Sequence, residues 1–196
     1  MTHTKKIIGI PTEQKIGEFR VALTPTHAHE LIINGMAVHI QSGAGTGSGF
    51  EDDAYRAAGC TIQPNAQKLY EAANLIIKVK EPVKEDFKNL KAHHTLFCYL
   101  HLAGIKDLKE KLTQIGLTAY AYETLIVNGQ TPLLAPMSTI AGRLSIQLGT
   151  RFLHSHQGGR GVLLGGLGDD NPKTKGNVTV IGAGQAGVAA ATLAAN

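Results

Sequence analysis

The polar side chains best placed to do chemistry in this sequence stand at the ends of short apolar runs. Lys80 follows Leu75-Ile-Ile-Lys-Val79, His101 follows Thr95-Leu-Phe-Cys-Tyr-Leu100, and Glu123 follows Thr118-Ala-Tyr-Ala121. Arg20 lies in the polar loop after a first run, Lys6-Ile-Ile-Gly-Ile10. In open parallel sheets ligands bind beyond the carboxyl ends of the strands. If these runs are neighbouring strands, the four groups converge on one edge. A guanidinium pairs bidentately with a carboxylate, an ammonium meets a carbonyl oxygen, and an imidazole exchanges protons near neutral pH. That set suits a small 2-oxo or 2-amino acid, whose dehydrogenation needs a base at neutral pH. On spacing alone each residue also has a plainer reading. Lys80 reads as a solvent cation, Arg20 as a surface ion pair, and His101, followed by Leu102 and Ala103, as a hydrogen-bonded core histidine.

A cofactor signal lies further along. Val178-Thr-Val-Ile181 reads as a strand, Gly182-Ala-Gly184-Gln-Ala-Gly187 has the G-x-G-x-x-G spacing, and an alanine-rich helix former follows. The first glycine permits a tight turn and the second lets a pyrophosphate approach the backbone. The third lets helix and strand pack closely, and the free N–H groups of the helix N-terminus meet the phosphate charge. The acidic ribose ligand expected about 20 residues further on falls beyond the sequence. A second glycine run, Gly43-Ala-Gly-Thr-Gly-Ser-Gly49, has Ser48 at the third fingerprint position and Phe-Glu-Asp-Asp after it, and reads as a structural turn.

The elements that must position these residues alternate. Strands are expected at Lys6–Ile10, Ala37–Gln41, Cys60–Ile62, Leu75–Val79, Thr95–Leu100 and Thr118–Ala121. Between them lie helices from Thr24-Pro25 to Ile33, from a cap at Asp52 or Asp53 to Gly59, after Asn65, through Lys88, and over Lys106 to Gln114. This rhythm predicts a parallel sheet covered on both faces. Pro132-Leu-Leu-Ala-Pro136 breaks it, and a long helix is expected from Met137 or Ser138 to about Gln157, with Ile140, Leu144, Leu148 and Phe152 at helical spacing. A loop with Asp169-Asp-Asn-Pro172 leads to the last strand. The expected organisation is a domain over residues 1–136, then the connecting helix and the start of a nucleotide-binding domain over 137–196.

Composition narrows the class. The 196 residues are 43% apolar and 17% charged with 23 glycines, an ordinary globular balance rich in turns. The net charge of +4 is mild. Its lysines sit among acids, as between Lys78 and Lys91, which argues against a nucleic-acid surface. Cys60 and Cys98 are isolated and read as reduced, buried thiols. With no signal-like leader and no stretch that demands a membrane, a soluble cytoplasmic protein is expected. The histidines, including His93-His94 and His154/His156, show no metal-ligand geometry, so no metal is expected.

Taken together, the quoted motifs resemble a known family. Ile8-Gly-Ile-Pro-Thr-Glu13, Glu18-Phe-Arg-Val-Ala-Leu-Thr-Pro25, Gln41-Ser-Gly-Ala-Gly45, Leu75-Ile-Ile-Lys-Val-Lys-Glu-Pro82 and Leu100-His-Leu-Ala103 are similar to those of the alanine dehydrogenases. So are Ala121-Tyr-Glu-Thr124, Leu133-Leu-Ala-Pro-Met-Ser138 and Gln157-Gly-Gly-Arg-Gly161. The resemblance implies an α/β fold, a Rossmann-like (flavodoxin-like) parallel-sheet domain followed by the first βα unit of an NAD-binding domain. It implies reversible NAD-dependent oxidation of L-alanine to pyruvate and ammonia. By resemblance Arg20 and Lys80 bind substrate and His101 is the proton donor and acceptor. Met137, Ser138, Gly182, Gly184, Gln185 and Gly187 contact NAD. A homohexamer is implied, with the helix after Ser138 forming dimers. A second catalytic aspartate and the rest of the NAD sheet are absent from the sequence, so the 196 residues alone are expected to be inactive. Two other readings stay open: the NAD(H)-binding component of proton-translocating transhydrogenase, and a non-catalytic binding or oligomerisation module.

Overall fold

The computed structural model describes residues 6–166 and 176–195. The Asp169–Pro172 loop and most of the N-terminal leader lie outside them. The backbone divides into two compact units, residues 1–124 and 125–196.

The first unit is a six-stranded, all-parallel sheet: β1 (Ile7–Ile10), β2 (Ala37–Gln41), β3 (Thr61–Gln63), β4 (Leu75–Ile77), β5 (Thr95–Cys98) and β6 (Thr118–Ala121), in spatial order β3-β2-β1-β4-β5-β6. Among doubly wound sheets this is the Rossmann order rather than the flavodoxin order, and its switch point falls between β1 and β4. The strands are short apolar runs because both faces are covered. One core gathers Ile8, Ile10, Val38, Ile40 and Tyr55. The other gathers Leu69, Tyr70, Ile76, Leu96, Cys98 and Leu112. Each such aliphatic side chain, withdrawn from water, contributes about 1.5–3 kcal/mol.

Several helix ends fall at the capping residues expected from the sequence. α1 (Pro25–Ile33) begins with a proline at its first turn, and the Thr24 hydroxyl accepts the His27 N–H. α3 (Ala66–Ala72) is capped by Asn65, whose Oδ1 accepts the Lys68 N–H at 2.9 Å. α5 (Leu108–Ile115) closes on Gly116. α4 (Asp86–Asn89) is a single turn. α2 (Asp52–Ala57) differs from expectation: Glu51 holds the cap position, without a side-chain bond. Asp52 instead turns back to the glycine loop, accepting from Ser42 Oγ at 2.7 Å and the Gly43 N–H at 2.9 Å. That loop packs on its own chain, since a Cβ on Gly45 would lie 2.6 Å from Phe50 O. It is a structural turn.

The second unit holds the long helix α6 (Ala135–Leu153), a 3-10 turn at Ser155–Gln157, and α7 (Gln185–Ala195). The helix therefore starts two residues before Met137 and ends four before Gln157, with the turn covering the difference. The strand expected at Val178–Ile181 does not form; the segment carries no ladder. A strand exists through hydrogen bonds to a neighbour, and among the described residues of this unit no other strand offers one. No helix of the described residues is long and apolar enough to cross a membrane.

Candidate functional site

The carboxyl edge of the sheet beside the switch point carries the first constellation. β1, β4, β5 and β6 are adjacent, so the chain leaves them at one edge into Glu13 to Arg20, Lys80, Tyr99 to His101, and Glu123. Arg20 is oriented by Glu18, which accepts from Arg20 Nε at 2.8 Å, Nη2 at 2.6 Å and the Arg20 N–H at 2.9 Å. These bonds to Arg20 hold the Glu18 carboxyl below its usual range, and Lys80 adds to the same effect. Arg20 is correspondingly raised, by Glu18 first and more weakly by Tyr99 and Glu13. The Tyr99 ring lies parallel to that of His101, with centroids 6.0 Å apart and planes 15° off. Tyr122 stands edge-on to Tyr99 at 5.0 Å. Burial raises the Tyr99 hydroxyl above its usual value, and Arg20 opposes that rise. Arg20, Lys80, Tyr99 and His101 thus form one neighbourhood.

Two glutamates hold the backbone there. The Glu13 carboxylate, 4% exposed, accepts the Val79 N–H at 2.6 Å and the Lys80 N–H at 3.3 Å. The Glu123 carboxylate accepts the Leu100 N–H at 3.2 Å and the His101 N–H at 2.7 Å. His101 itself sits at φ 50°, the left-handed region that non-glycine residues seldom enter. Beneath this edge Lys78, 1% exposed, has its ammonium 3.5 Å from Glu13 and 3.3 Å from Asp86. Asp86 also accepts from the Tyr70 hydroxyl at 2.8 Å and the Val83 N–H at 2.9 Å. Desolvation raises the Glu13 carboxyl, against the pull of Lys78.

In the second unit the three fingerprint glycines behave differently from one another. Gly182 has φ 98°. A Cβ on Gly187 would stand 2.0 Å from the Gly182 carbonyl oxygen, whereas one on Gly184 would meet nothing within 4 Å. A tight turn, an open approach and a close contact are what a pyrophosphate loop at a helix N-terminus requires. The residues present therefore fit a dinucleotide. Gln185 Nε2 donates to Thr139 Oγ1 at 2.9 Å, tying the start of α7 to α6, where Met137 and Ser138 occupy the first turn. A Cβ on Gly142 would lie 2.1 Å from Ala186 O, so α6 and α7 pack backbone to backbone.

The sequence reading missed Glu13, Lys78, Asp86 and Tyr99. The covered sheet offered a signal for Lys78: with helices on both faces, a lysine within the apolar run of a strand is withdrawn from water whichever face it takes. Glu13 and Asp86 follow once an inward lysine demands counter-charges.

Sequence profiles described as "Alanine dehydrogenase/PNT, N-terminal domain" and "Alanine dehydrogenase/PNT, C-terminal domain" match residues 9–141 and 145–196. The chain belongs to the alanine dehydrogenase/PNT family. It is 47% identical over 190 residues to the alanine dehydrogenase of Mycolicibacterium smegmatis, covering 96% of this chain and 50% of that protein. It is 44% identical over 188 residues to the alanine dehydrogenase of Bacillus subtilis, with 96% and 49% covered. Among solved structures, an L-alanine dehydrogenase superposes with a TM-score of 0.85 at 45% identity over 96% of this chain and 52% of that one. A transhydrogenase from Sinorhizobium meliloti reaches 0.64 at 26% identity over 70% of this chain and 42% of that one. Similarity therefore favours the dehydrogenase branch. The chain spans about half the length of the curated relatives it matches.

Proposed function

We propose that this chain supplies the substrate-binding unit and the start of the NAD-binding unit of an alanine dehydrogenase, which converts L-alanine to pyruvate and ammonia reversibly. The observation that carries the reading is the gathering of Arg20, Lys80 and His101 beside the sheet's switch point. Arg20, its fork set by Glu18, binds the substrate carboxylate. Lys80 holds the oxygen that becomes the pyruvate carbonyl. NAD supplies the hydride acceptor. After the substrate ammonium has given a proton to solvent and Cα has lost hydride, an iminium remains, to which water adds. His101 accepts a proton from that water and returns it to the amine, which leaves as ammonia while the carbinol O–H proton passes to solvent and the carbonyl forms. Gly182, Gly184 and Gly187 hold the pyrophosphate, with Met137, Ser138 and Gln185 as further contacts to NAD.

Two wider features support the rest of the reading. Cys60 and Cys98 are unpaired and buried, which suits a reducing cytoplasmic location. The outward stripe on α6 suits a homo-oligomer. The test is NADH formation from L-alanine by the full natural gene product. His101→Ala is expected to lower kcat at least about 100-fold; undiminished turnover in that variant would remove His101 from the mechanism. Hydride exchange between NAD(H) and NADP(H) without alanine turnover would point to a transhydrogenase instead.

A further inference from the structure

Successive N–H groups along a β-strand point to opposite neighbours. At two places on this edge, consecutive N–H groups converge on one carboxylate instead. Val79 and Lys80 meet Glu13, which reaches them from the loop after β1. Leu100 and His101 meet Glu123, which reaches them from the turn after β6. In both cases the clamped pair lies just past the end of a strand, β4 or β5, where the ladder thins to its last backbone bonds, Lys78 N–H to Phe97 O at 3.1 Å and Tyr99 N–H to Val79 O at 3.2 Å. In both cases the second residue of the pair is one assigned to the chemistry. The His101 conformation needs such support. Its left-handed φ of 50° costs on the order of 1–2 kcal/mol for a residue with a Cβ. It persists with its N–H on Glu123 at 2.7 Å and its carbonyl accepting the Gly104 and Ile105 N–H groups at 2.8 and 3.1 Å.

We infer that Glu13 and Glu123 are positioning residues, each a two-oxygen clamp that sets the backbone from which Lys80 or His101 projects. The inference rests on the substrate roles proposed for Lys80 and His101. Each clamp reaches its target from a different element, so it fixes the placement of one functional side chain relative to the neighbouring strand. A carboxylate suits the task because it offers acceptors only, so both oxygens can face donors. Glutamine would turn an NH2 donor toward one of the two N–H groups.

The test uses Glu13→Gln and Glu123→Gln in the full natural gene product, with Glu13→Asp and Glu123→Asp as charge-retaining controls. Losing a charge-assisted bond of this kind is expected to change the affected parameter about tenfold or more. Glu123→Gln should lower kcat while the KM for L-alanine stays within about twofold, because His101 moves protons. Glu13→Gln should raise that KM with a smaller change in kcat, because Lys80 binds substrate. The aspartate variants should recover part of each loss. Amide hydrogen exchange gives an independent readout: it should accelerate at Leu100 and His101 in the Glu123 variant and at Val79 and Lys80 in the Glu13 variant. Equal losses in kcat and KM in both variants, with exchange accelerated across the whole sheet, would reduce the glutamates to structural supports and overturn the inference. Unchanged kinetics would overturn it too. If the unsubstituted gene product makes no NADH from L-alanine, the proposed function fails, while local exchange still decides whether the clamps exist.

Discussion

Lys78 shows how much of this edge depends on charges withdrawn from water. Its ammonium has two carboxylates at ion-pair distance but no aligned hydrogen bond. The three groups are tolerable only together. Lys78→Met leaves Glu13 and Asp86 facing each other without a cation, and is expected to cost about 3–5 kcal/mol in urea unfolding. Glu18 is expected to show in the pH dependence. Its carboxyl is held below the usual range chiefly by its bonds to Arg20, so its contribution to stability is present above the ordinary glutamate value and is lost as pH falls through the depressed one. Glu13 works in the opposite sense. Its raised value favours the fold below the ordinary glutamate value, and that contribution is lost as pH rises through the raised one. Unfolding followed from about pH 6 down to about pH 3 should therefore lose less stability in Glu18→Gln than in the parent. An equal slope would remove Glu18 from the acid response. Lys80 and His101 were legible in sequence because each stands where an apolar run stops, and Arg20 because it lies in the polar loop that follows the first such run. Glu13 was not, because its importance comes from donors 66 and 67 residues away.

Among the elements, the sequence pattern located four of the six strands of the first unit to within two residues of the ends observed, and β2 and β6 to the residue. Alternating buried and turn-forming residues carry that information locally. Val178–Ile181 had the same β-branched composition yet forms no strand, because composition supplies propensity whereas a ladder needs a neighbour. The glycine turn after it was legible in detail, since each glycine answers a distinct steric demand. That yields a paired expectation. Gly187→Ala sets a methyl against the Gly182 carbonyl, backbone that cannot swing aside, and should cost about 1–3 kcal/mol. Gly184→Ala meets open space and should leave stability within about 0.5 kcal/mol. In the full gene product it should still weaken NAD binding, since its methyl fills the approach to the backbone. Calorimetry of both variants with an NAD titration checks the pair. Destabilisation by Gly184→Ala would deny that its openness is reserved for a ligand.

For the whole molecule the question is what covers α6. Ile140, Leu144, Leu148 and Phe152 recur every four residues, and periodicity alone places such residues on the buried face of a helix. The structure shows the reverse: they are 64%, 45–46% and 64% exposed at the ends and middle of the stripe. The pattern identified an apolar face without saying whether its partner is the chain's own core or another copy, because the same physics drives both. A continuous apolar stripe on a 19-residue helix is more than a soluble surface ordinarily leaves in water. The proposed homo-oligomer would cover it by pairing the helix with its counterpart, an isologous contact in which each copy presents the same residues. Ile140→Glu combined with Leu148→Glu places charges on that face without touching the core. The circular dichroism should stay that of the parent, while sedimentation velocity should shift toward smaller species. Unchanged sedimentation would assign the stripe to some other covering and remove α6 from the assembly.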